Sequence, residues 1–263
     1  MEYKTTSVNG LNIHYGVVGA GPDVIFIHGW ASSAKMWAGL LPQMSVDYRC
    51  WSLDLPGFGD SEKPAPSWYS IPNYTLLVAE FARQNGMGPL RLVGHSMGGL
   101  IALDLAARHP ARVERLVAIN PVVTGRARLR PLARPGYGRH VLHWALRLSP
   151  AVMQPILAHP LGQRMDSLRP IRRRTEEMFK STADSLWSSG RAVVNHDLTP
   201  VLHRITAPTL VIVGDRDNNV STREGRFAAG RIPAAELHVM RAGHLLTDDR
   251  PAEVIQLLKR HLA

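Results

Sequence analysis

Short, continuously apolar runs alternate with longer amphipathic segments along nearly the whole chain, and this alternation limits the possible folds more than any other feature. Runs such as Val24–Ile27 and Leu210–Val213 are apolar at every position, which is typical of strands buried on both faces. Between such runs lie helix-like segments, among them Met97–Arg108 and Ala252–Leu262. Strands of this composition occur in parallel sheets covered by helices. We therefore expect an α/β fold with a mostly parallel central sheet flanked by helices.

Residues 121–200 break this pattern. They contain no strand-like run, prolines recur, and arginines are frequent. We predict that residues 121–200 form a helical cap over the C-terminal edge of the sheet. In this division, residues 1–120 and 201–263 together form the core.

Composition and cysteine count exclude several classes of protein. With 45% apolar residues the chain can bury a sizeable core, which excludes wholesale disorder. No stretch reaches the roughly 18 uncharged apolar residues of a membrane-spanning helix, and the N-terminus lacks a basic-then-apolar secretory signal. The single cysteine, Cys50, can neither form an internal disulfide nor complete a cysteine-rich metal site. These features predict a cytoplasmic protein.

The octet Leu92–Gly99, Leu-Val-Gly-His-Ser-Met-Gly-Gly, carries the clearest chemical signal in the chain. A buried strand ends at Val93 and a helix begins by Met97, so Ser96 lies on the sharp turn between them. Gly94 and Gly98 remove side chains that would clash at such a turn, which is the physical basis of the G-x-S-x-G pattern. This context predicts a nucleophilic serine whose hydroxyl projects from the edge of the sheet.

Further motifs accompany the octet along the chain: His28-Gly29, Asp54-Leu55-Pro56-Gly57-Phe58-Gly59-Asp60-Ser61, Gly214-Asp215-Arg216-Asp217 and Ala242-Gly243-His244. With these motifs in this order, the chain is similar to the α/β-hydrolases over nearly its whole length. The resemblance implies the α/β-hydrolase fold and hydrolysis through a serine, an acid and a histidine. It is much less specific for the substrate.

A serine hydroxyl needs a base that removes its proton during attack, and twelve histidines compete for that role. The resemblance assigns it to His244, which follows the last strand in a glycine-containing loop. It implies structural roles for His28, before the oxyanion loop, and for His95, beside the nucleophile. No metal-ligand spacing emerges among the histidines, so we expect no metal and no other cofactor.

The base in turn needs a carboxylate that holds its tautomer and stabilises the imidazolium. Asp215 and Asp217 both follow a buried strand, and the family spacing favours Asp217 while leaving Asp215 open as the alternative. Some relatives carry the acid after an earlier strand, but Asn120 stands there and is not a carboxylate. The expected catalytic residues are therefore Ser96, Asp217 and His244, in the order typical of this fold.

Acyl transfer also requires hydrogen-bond donors aimed at the developing oxyanion. We expect these donors to be the backbone N–H groups of Met97, which follows the nucleophile, and of Trp30, which follows His28-Gly29. The indole of Trp30 could line the substrate pocket or only pack, and both alternatives stay open. The segment Asp54–Ser61 is expected to be a structural turn, because its glycines permit tight backbone and its polar side chains can bond neighbouring amides.

Basic charge is concentrated in the predicted cap. The chain has 31 Lys and Arg against 21 Asp and Glu, a net charge of +10, and residues 121–200 account for +8 of it. The triplet Arg172, Arg173 and Arg174 lies there. Three interpretations stay open: a solvated face that favours solubility, docking of an acidic substrate or partner, and weak contact with an anionic membrane surface. Nucleic acid fits poorly because no recognised binding motif accompanies the arginines.

Ile27-His28-Gly29-Trp30 and the glycine-rich segment beginning at Asp54 resemble the carboxylesterases of biotin synthesis, which demethylate pimeloyl-acyl-carrier-protein methyl ester. That resemblance implies that cap arginines contact an acidic acyl-carrier protein. The chain departs from those esterases at the elbow, where His95 replaces a frequent Trp and Met97 a frequent Leu.

We therefore expect a serine carboxylesterase that cleaves a small-molecule ester through an acyl-enzyme on Ser96. Lactonase, thioesterase or carbon–carbon bond hydrolase activity on the same residues stays open. So does a ligand receptor on a hydrolase scaffold that turns over slowly. Dehalogenases and epoxide hydrolases are disfavoured because those relatives use an aspartate as the nucleophile.

Overall fold

The structure, a computed structural model, describes residues 1–125, 138–148 and 168–263, and side chains in these ranges except at 168–171. Within them the chain forms an eight-stranded sheet in the order β1-β2-β4-β3-β5-β6-β7-β8. The strands are β1 (Glu2–Val8), β2 (Leu11–Val18), β3 (Asp23–Ile27), β4 (Arg49–Leu53), β5 (Leu90–His95), β6 (Val113–Ile119), β7 (Thr209–Gly214) and β8 (Ala235–Met240).

Most of the sheet is parallel, as predicted. β1 and β2 pair antiparallel, and β2 joins the rest antiparallel to β4. All pairs among β3 to β8 are parallel. The carboxyl ends of β5, β6, β7 and β8 therefore meet at one edge, which is where parallel α/β sheets place their functional loops.

Helices cover both faces of the sheet. The α-helices of the described residues are α1 (Leu41–Met44), α2 (Ile71–Gln84), α3 (Met97–Arg108), α4 (Gly138–Ala145), α5 (Leu168–Met178), α6 (Ala183–Val194), α7 (Thr222–Ala229), α8 (Leu246–Asp249) and α9 (Pro251–Leu262), of which α4, α5 and α6 belong to residues 121–200. Because successive strand residues point to opposite faces, Leu92 joins the apolar cluster under α2 and α3, while Val93 joins the cluster under α1 and α9. This two-sided burial explains the uninterrupted apolar runs within the central strands.

The described parts of residues 121–200 contain α4, α5 and α6. The side chain of Thr182 caps α6 by accepting a hydrogen bond from the N–H of Ser185, and the Ser185 hydroxyl accepts one from the N–H of Thr182. Helices thus occupy the described parts of this segment, and a cap formed by residues 121–200 stays a prediction. None of the helices in the described parts of the chain combines the length and apolar content that crossing a bilayer requires.

Ion pairs join α5 and the turn after it to the core. They are Arg173–Asp248 at 2.8 Å, Lys35–Glu177 at 2.9 Å and Lys180–Asp60 at 2.8 Å. The side chain of Glu177 is only 6% exposed, so its pair with Lys35 is less screened by solvent than a surface pair would be. These contacts hold one helix of the 121–200 segment against the loops that end the parallel strands.

Candidate active site

Ser96 occupies a strained turn between β5 and α3. Its φ of 55° and ψ of −112° lie where non-glycine residues are rare. The backbone N–H of Ser96 donates to the carbonyl of Ile119 at 2.9 Å, and its carbonyl accepts from the N–H of Leu100 at 3.0 Å. The neighbouring strand and the first turn of α3 therefore hold the strained backbone in place.

The two glycines that flank Ser96 in the octet are required by close backbone contact. A Cβ atom on Gly94 would overlap the carbonyl of Gly98, and one on Gly98 would overlap the carbonyl of Ile27. In both cases the obstacle is backbone, which cannot rotate away as a side chain could. The glycines of the octet therefore let β3, β5 and α3 approach closely enough to form the turn.

We expect Gly94→Ala and Gly98→Ala each to lower the free energy of unfolding by at least about 2–3 kcal/mol, because the added methyl group overpacks against fixed backbone. Chemical denaturation would measure the change. Gly88→Ala is the matched control, since no atom lies within 4 Å of the added Cβ there. Equal stability of Gly98→Ala and Gly88→Ala would contradict the proposed contact.

His244 and Asp217 form a short, buried hydrogen bond. The distance between His244 Nδ1 and Asp217 Oδ2 is 2.6 Å, and the side chains are 3% and 0% exposed. The other oxygen of Asp217 accepts from the N–H groups of Asn219 and Val220 at 2.7 and 2.9 Å. These bonds fix the carboxylate, so that it orients the imidazole.

Asp217, which the family spacing favoured, and Asp215, the alternative, differ in their contacts. Asp215 is exposed, and its N–H donates to the carbonyl of Met240 at 2.9 Å. Only Asp217 of the two has a carboxylate hydrogen-bonded to His244.

His95 joins the loop of His244 to the turn of Ser96. The Nε2 atom of His95 lies 2.8 Å from the carbonyl oxygen of His244, and the centroids of the two imidazoles are 4.7 Å apart. Because a carbonyl only accepts, His95 carries its proton on Nε2. Burial lowers the pKa of His95 well below its usual value, and the neighbouring His244 acts in the same direction. His95 is thus a neutral donor that ties the loop of His244 to the residue before Ser96, while no hydrogen bond between the side chains of Ser96 and His244 is recorded in the described part of the chain.

Asn120 is a positioning residue that the sequence reasoning missed. Its side-chain amide donates to the carbonyl of His244 at 3.0 Å, and its Oδ1 accepts from the N–H of Gly214 at 2.9 Å. Asn120 thus links the loop of the candidate base to the strand end that precedes Asp217. Its place at the carboxyl end of β6 could have signalled this role, but the sequence reasoning examined that position only for a carboxylate.

The two predicted oxyanion donors belong to segments that adjoin Ser96. Met97 begins α3, and Trp30 follows Gly29, whose position packs against Ser96: a Cβ built there would lie 3.3 Å from the Cβ of Ser96. His28 supports this loop, since its Nε2 accepts from the N–H of Leu55 at 2.9 Å and its Nδ1 lies 2.7 Å from the carbonyl of Gly29. Burial lowers the pKa of His28, which favours the neutral ring that these two bonds require.

The indole of Trp30 connects the core to the 121–200 segment. Its Nε1 donates to the carbonyl of Leu186 at 3.0 Å and to the hydroxyl of Ser189 at 3.1 Å, both on α6. The sequence left open whether this ring lines a pocket or packs. In the structure the ring bonds α6 and so connects that helix to the loop of the candidate oxyanion donor.

The Asp54–Ser61 segment is a hydrogen-bonded turn, as expected. The carboxylate of Asp54 accepts from the N–H groups of Ala34 and Asp60 at 2.7 and 2.8 Å. Burial acts to raise the pKa of Asp54, but the hydrogen bond from His14 and these amides hold it below its usual value. His14, Asp54 and Asp60 bring potential metal ligands within 4.8 Å of one another. Internal bonds account for this cluster, because His14 bonds Asp54 and Asp60 pairs with Lys180.

The three arginines of the triplet do not face one way, and their predicted part in a substrate pocket or in partner docking stays a prediction. Arg172 is exposed and pairs with Glu176 on its own helix, whereas Arg173 donates to the carboxylate of Asp248 in the core. The guanidinium of Arg174 also turns inward, with Nη2 at 3.4 Å from the carbonyl of Trp30. Helical spacing explains the split, because consecutive residues point in directions about 100° apart. Only Arg172 of the three is presented fully to an outside partner.

Comparison with known proteins places this geometry in a family. The sequence model of the alpha/beta hydrolase fold family matches residues 22–251. A pimeloyl-[acyl-carrier protein] methyl ester esterase of Aeromonas salmonicida is 26% identical over 247 residues, which cover 92% of this chain and 95% of that protein.

Solved structures agree with this relationship. The enol-lactonase of Burkholderia xenovorans LB400 superimposes with a TM-score of 0.80 at 26% identity, over 98% of this chain and 99% of that one. A membrane phospholipase A superimposes with a TM-score of 0.85 at 28% identity, over 99% of this chain and 85% of that one. The sheet order, the Ser96 turn and these matches together show that the chain is a hydrolase and belongs to the alpha/beta hydrolase fold family.

Proposed function

We propose that the protein is a serine carboxylesterase that works through an acyl-enzyme on Ser96. The observation that carries the proposal is the buried 2.6 Å hydrogen bond between His244 and Asp217, in a loop that His95 ties to the Ser96 turn. A carboxylate on Nδ1 keeps the proton on that nitrogen and leaves Nε2 free to accept a proton from a hydroxyl.

In the first half of the reaction, Ser96 Oγ attacks the ester carbonyl while His244 takes the hydroxyl proton. The backbone N–H groups of Met97 and Trp30 would stabilise the oxyanion, and each such donor contributes about 3 kcal/mol in well-studied hydrolases. His244 then returns its proton to the leaving alcohol as the carbon–oxygen bond of the ester breaks. The product of this half is an ester between the acyl group and Ser96.

In the second half, a water molecule gives one proton to His244 and attacks the acyl carbonyl. The bond to Ser96 Oγ breaks, His244 returns the proton to that oxygen, and the carboxylic acid leaves. This scheme uses only side chains and backbone amides of the chain and needs no cofactor. We further propose that residues 121–200 cap the substrate cleft and that the protein works in the cytoplasm.

Two relatives suggest substrates for this chemistry. The esterase of Aeromonas salmonicida is named for the methyl ester of a carrier-bound pimeloyl group, and the basic excess of residues 121–200 offers positive charge for an acidic carrier protein. The relative from Burkholderia xenovorans is an enol-lactonase, and a lactone is an internal ester open to the same attack. A carrier-bound methyl ester is thus one candidate substrate and a small lactone the other.

A substrate panel tests the proposal. It would contain p-nitrophenyl and methyl esters, lactones, acyl-CoA thioesters and an acyl-carrier-protein methyl ester, with hydrolysis followed at pH 7–8. We expect esters or lactones to be hydrolysed at about 1 s⁻¹ or faster, as is usual for enzymes. Binding with less than about one turnover per minute on every compound would overturn the proposal in favour of a ligand receptor.

A further inference from the structure

Arg174 is the one member of the triplet that has no acidic partner among the described residues. Arg172 pairs with Glu176 and Arg173 with Asp248, each through bonds of 2.8 Å. A guanidinium carries five N–H donors. The only hydrogen bond that the structure gives to Arg174 is the long contact of 3.4 Å with the carbonyl of Trp30. Most of its hydrogen-bonding capacity is therefore unused within the described chain.

The carboxylates around Arg174 already serve other groups. Asp248 accepts two bonds from Arg173, and Asp217 accepts from His244 and two backbone amides. Glu177 accepts from the ammonium of Lys35 at 2.9 Å through Oε1, while its buried Oε2 has no hydrogen-bond partner among the described residues. The negative charges of Asp248 and Asp217 thus act on Arg174, but neither carboxylate forms an ion pair with it.

Arg174 is partly buried. Burial lowers the pKa of Arg174 to about 10, although the charges of Asp248 and Asp217 act to raise it. At neutral pH the group is still a cation. A desolvated cation without a counter-ion costs free energy. Shifted pKa values of this kind are more frequent at functional sites than elsewhere in proteins.

Arg174 lies between the two loops that carry the proposed chemistry. It lines a small cavity together with Ser32 and Ser33, which follow Trp30, and with Leu245, which follows His244. Its positive charge also acts to lower the pKa of His95 and His28. The cation is therefore placed beside the candidate oxyanion loop and the loop of the candidate base.

A purely structural role would be to hold the carbonyl of Trp30. A neutral amide side chain could make that single hydrogen bond without the cost of removing a charge from water. The unused donors therefore point to a further acceptor that comes from outside the described chain.

We propose that Arg174 binds a carboxylate on the acyl part of the substrate, so that the protein prefers esters whose acyl group carries a free carboxylate. This inference rests on the proposed ester hydrolysis and names its substrate class. A guanidinium binds a carboxylate through two parallel N–H···O bonds, which fixes the substrate as well as attracting it. The methyl ester of a carrier-bound diacid has no free carboxylate, so Arg174 favours a small anionic ester or lactone over it.

Matched pairs of substrates test this inference. Monomethyl esters of C4 to C7 dicarboxylic acids carry the free carboxylate, and the corresponding dimethyl esters lack it. We expect the ratio of kcat/KM for the monoester to that for the diester to fall about 10- to 100-fold in Arg174→Gln, with the larger change in KM. Arg174→Lys should lie between, because a lysine keeps the charge but cannot form the paired bonds. Arg83→Gln, at an exposed arginine paired with Glu80, is the control and should leave the ratio unchanged.

A binding measurement separates recognition from catalysis. Calorimetric titration of the corresponding free dicarboxylates into Ser96→Ala protein should show binding that is lost when Arg174→Gln is added. An unchanged monoester-to-diester ratio in Arg174→Gln, with retained dicarboxylate binding, would overturn the inference even if both esters are still hydrolysed. Failure of the unmodified protein to hydrolyse any ester would instead overturn the proposed function.

Discussion

The Ser96→Ala variant is expected to lose ester hydrolysis almost completely, with kcat/KM lower by at least about 10⁴-fold. Removal of the hydroxyl leaves the candidate base and the oxyanion donors in place but no atom to form the acyl bond. The free energy of unfolding should change little, because alanine keeps the Cβ atom and the hydrogen bonds at this turn come from the backbone of Ser96. Initial rates on the most reactive ester of the panel would measure the loss, and chemical denaturation would check the fold.

Two comparisons make this result specific. Ser67→Ala changes an exposed serine and should retain full activity. A fluorophosphonate reagent should add covalently to the unmodified protein, and peptide mass spectrometry should place the adduct on Ser96. A Ser96→Ala protein that keeps more than a tenth of the activity, or an adduct on another residue, would refute the assignment of the nucleophile.

Asp217→Asn should lower kcat/KM by about 10⁴-fold, the effect of the equivalent change in a well-studied serine protease. An asparagine can donate its amide hydrogen to His244 Nδ1, which would move the ring proton to Nε2. The Nε2 atom of His244 would then carry a hydrogen and could not accept the hydroxyl proton of Ser96. The asparagine carbonyl can still accept from the N–H groups of Asn219 and Val220, so we expect the loop to keep its structure.

Asp215→Asn is the matched control for this prediction, since it makes the same chemical change two residues away on an exposed side chain. We expect its kcat/KM to stay within about twofold of the unmodified protein. Comparable losses in the two variants would show that loop structure, not the bond to His244, explains the effect of Asp217→Asn.

The prediction of the fold from sequence succeeded where the strands are buried on both faces. Runs such as Val24–Ile27 have no polar position and therefore indicate a covered strand regardless of what covers it. The apolar pattern of the sequence does not indicate β1, whose residues Glu2–Thr5 are all exposed. A strand at the edge of a sheet with exposed side chains shows little apolar pattern, and only its pairing with β2 reveals it.

The residues of the candidate site also differ in whether their roles could be predicted from the sequence. The turn of Ser96 could be predicted because it depends on neighbours in sequence, the glycines at 94 and 98. Family spacing favoured Asp217 over Asp215, but the contact that distinguishes the two joins Asp217 to a histidine 27 residues later. The positioning role of Asn120 also depends on loops far along the chain.

The sequence by itself determined the parallel sheet, the strained serine turn and the kinds of residue available to act with it, because these follow from local apolar pattern and backbone geometry. Only the tertiary structure showed that Asp217 bonds His244, how Trp30 contacts α6, and that Arg173 pairs with Asp248 while Arg174 beside it has no acidic partner among the described residues. Those outcomes depend on distances between segments that are remote in the chain, and such distances are set by packing of the whole fold.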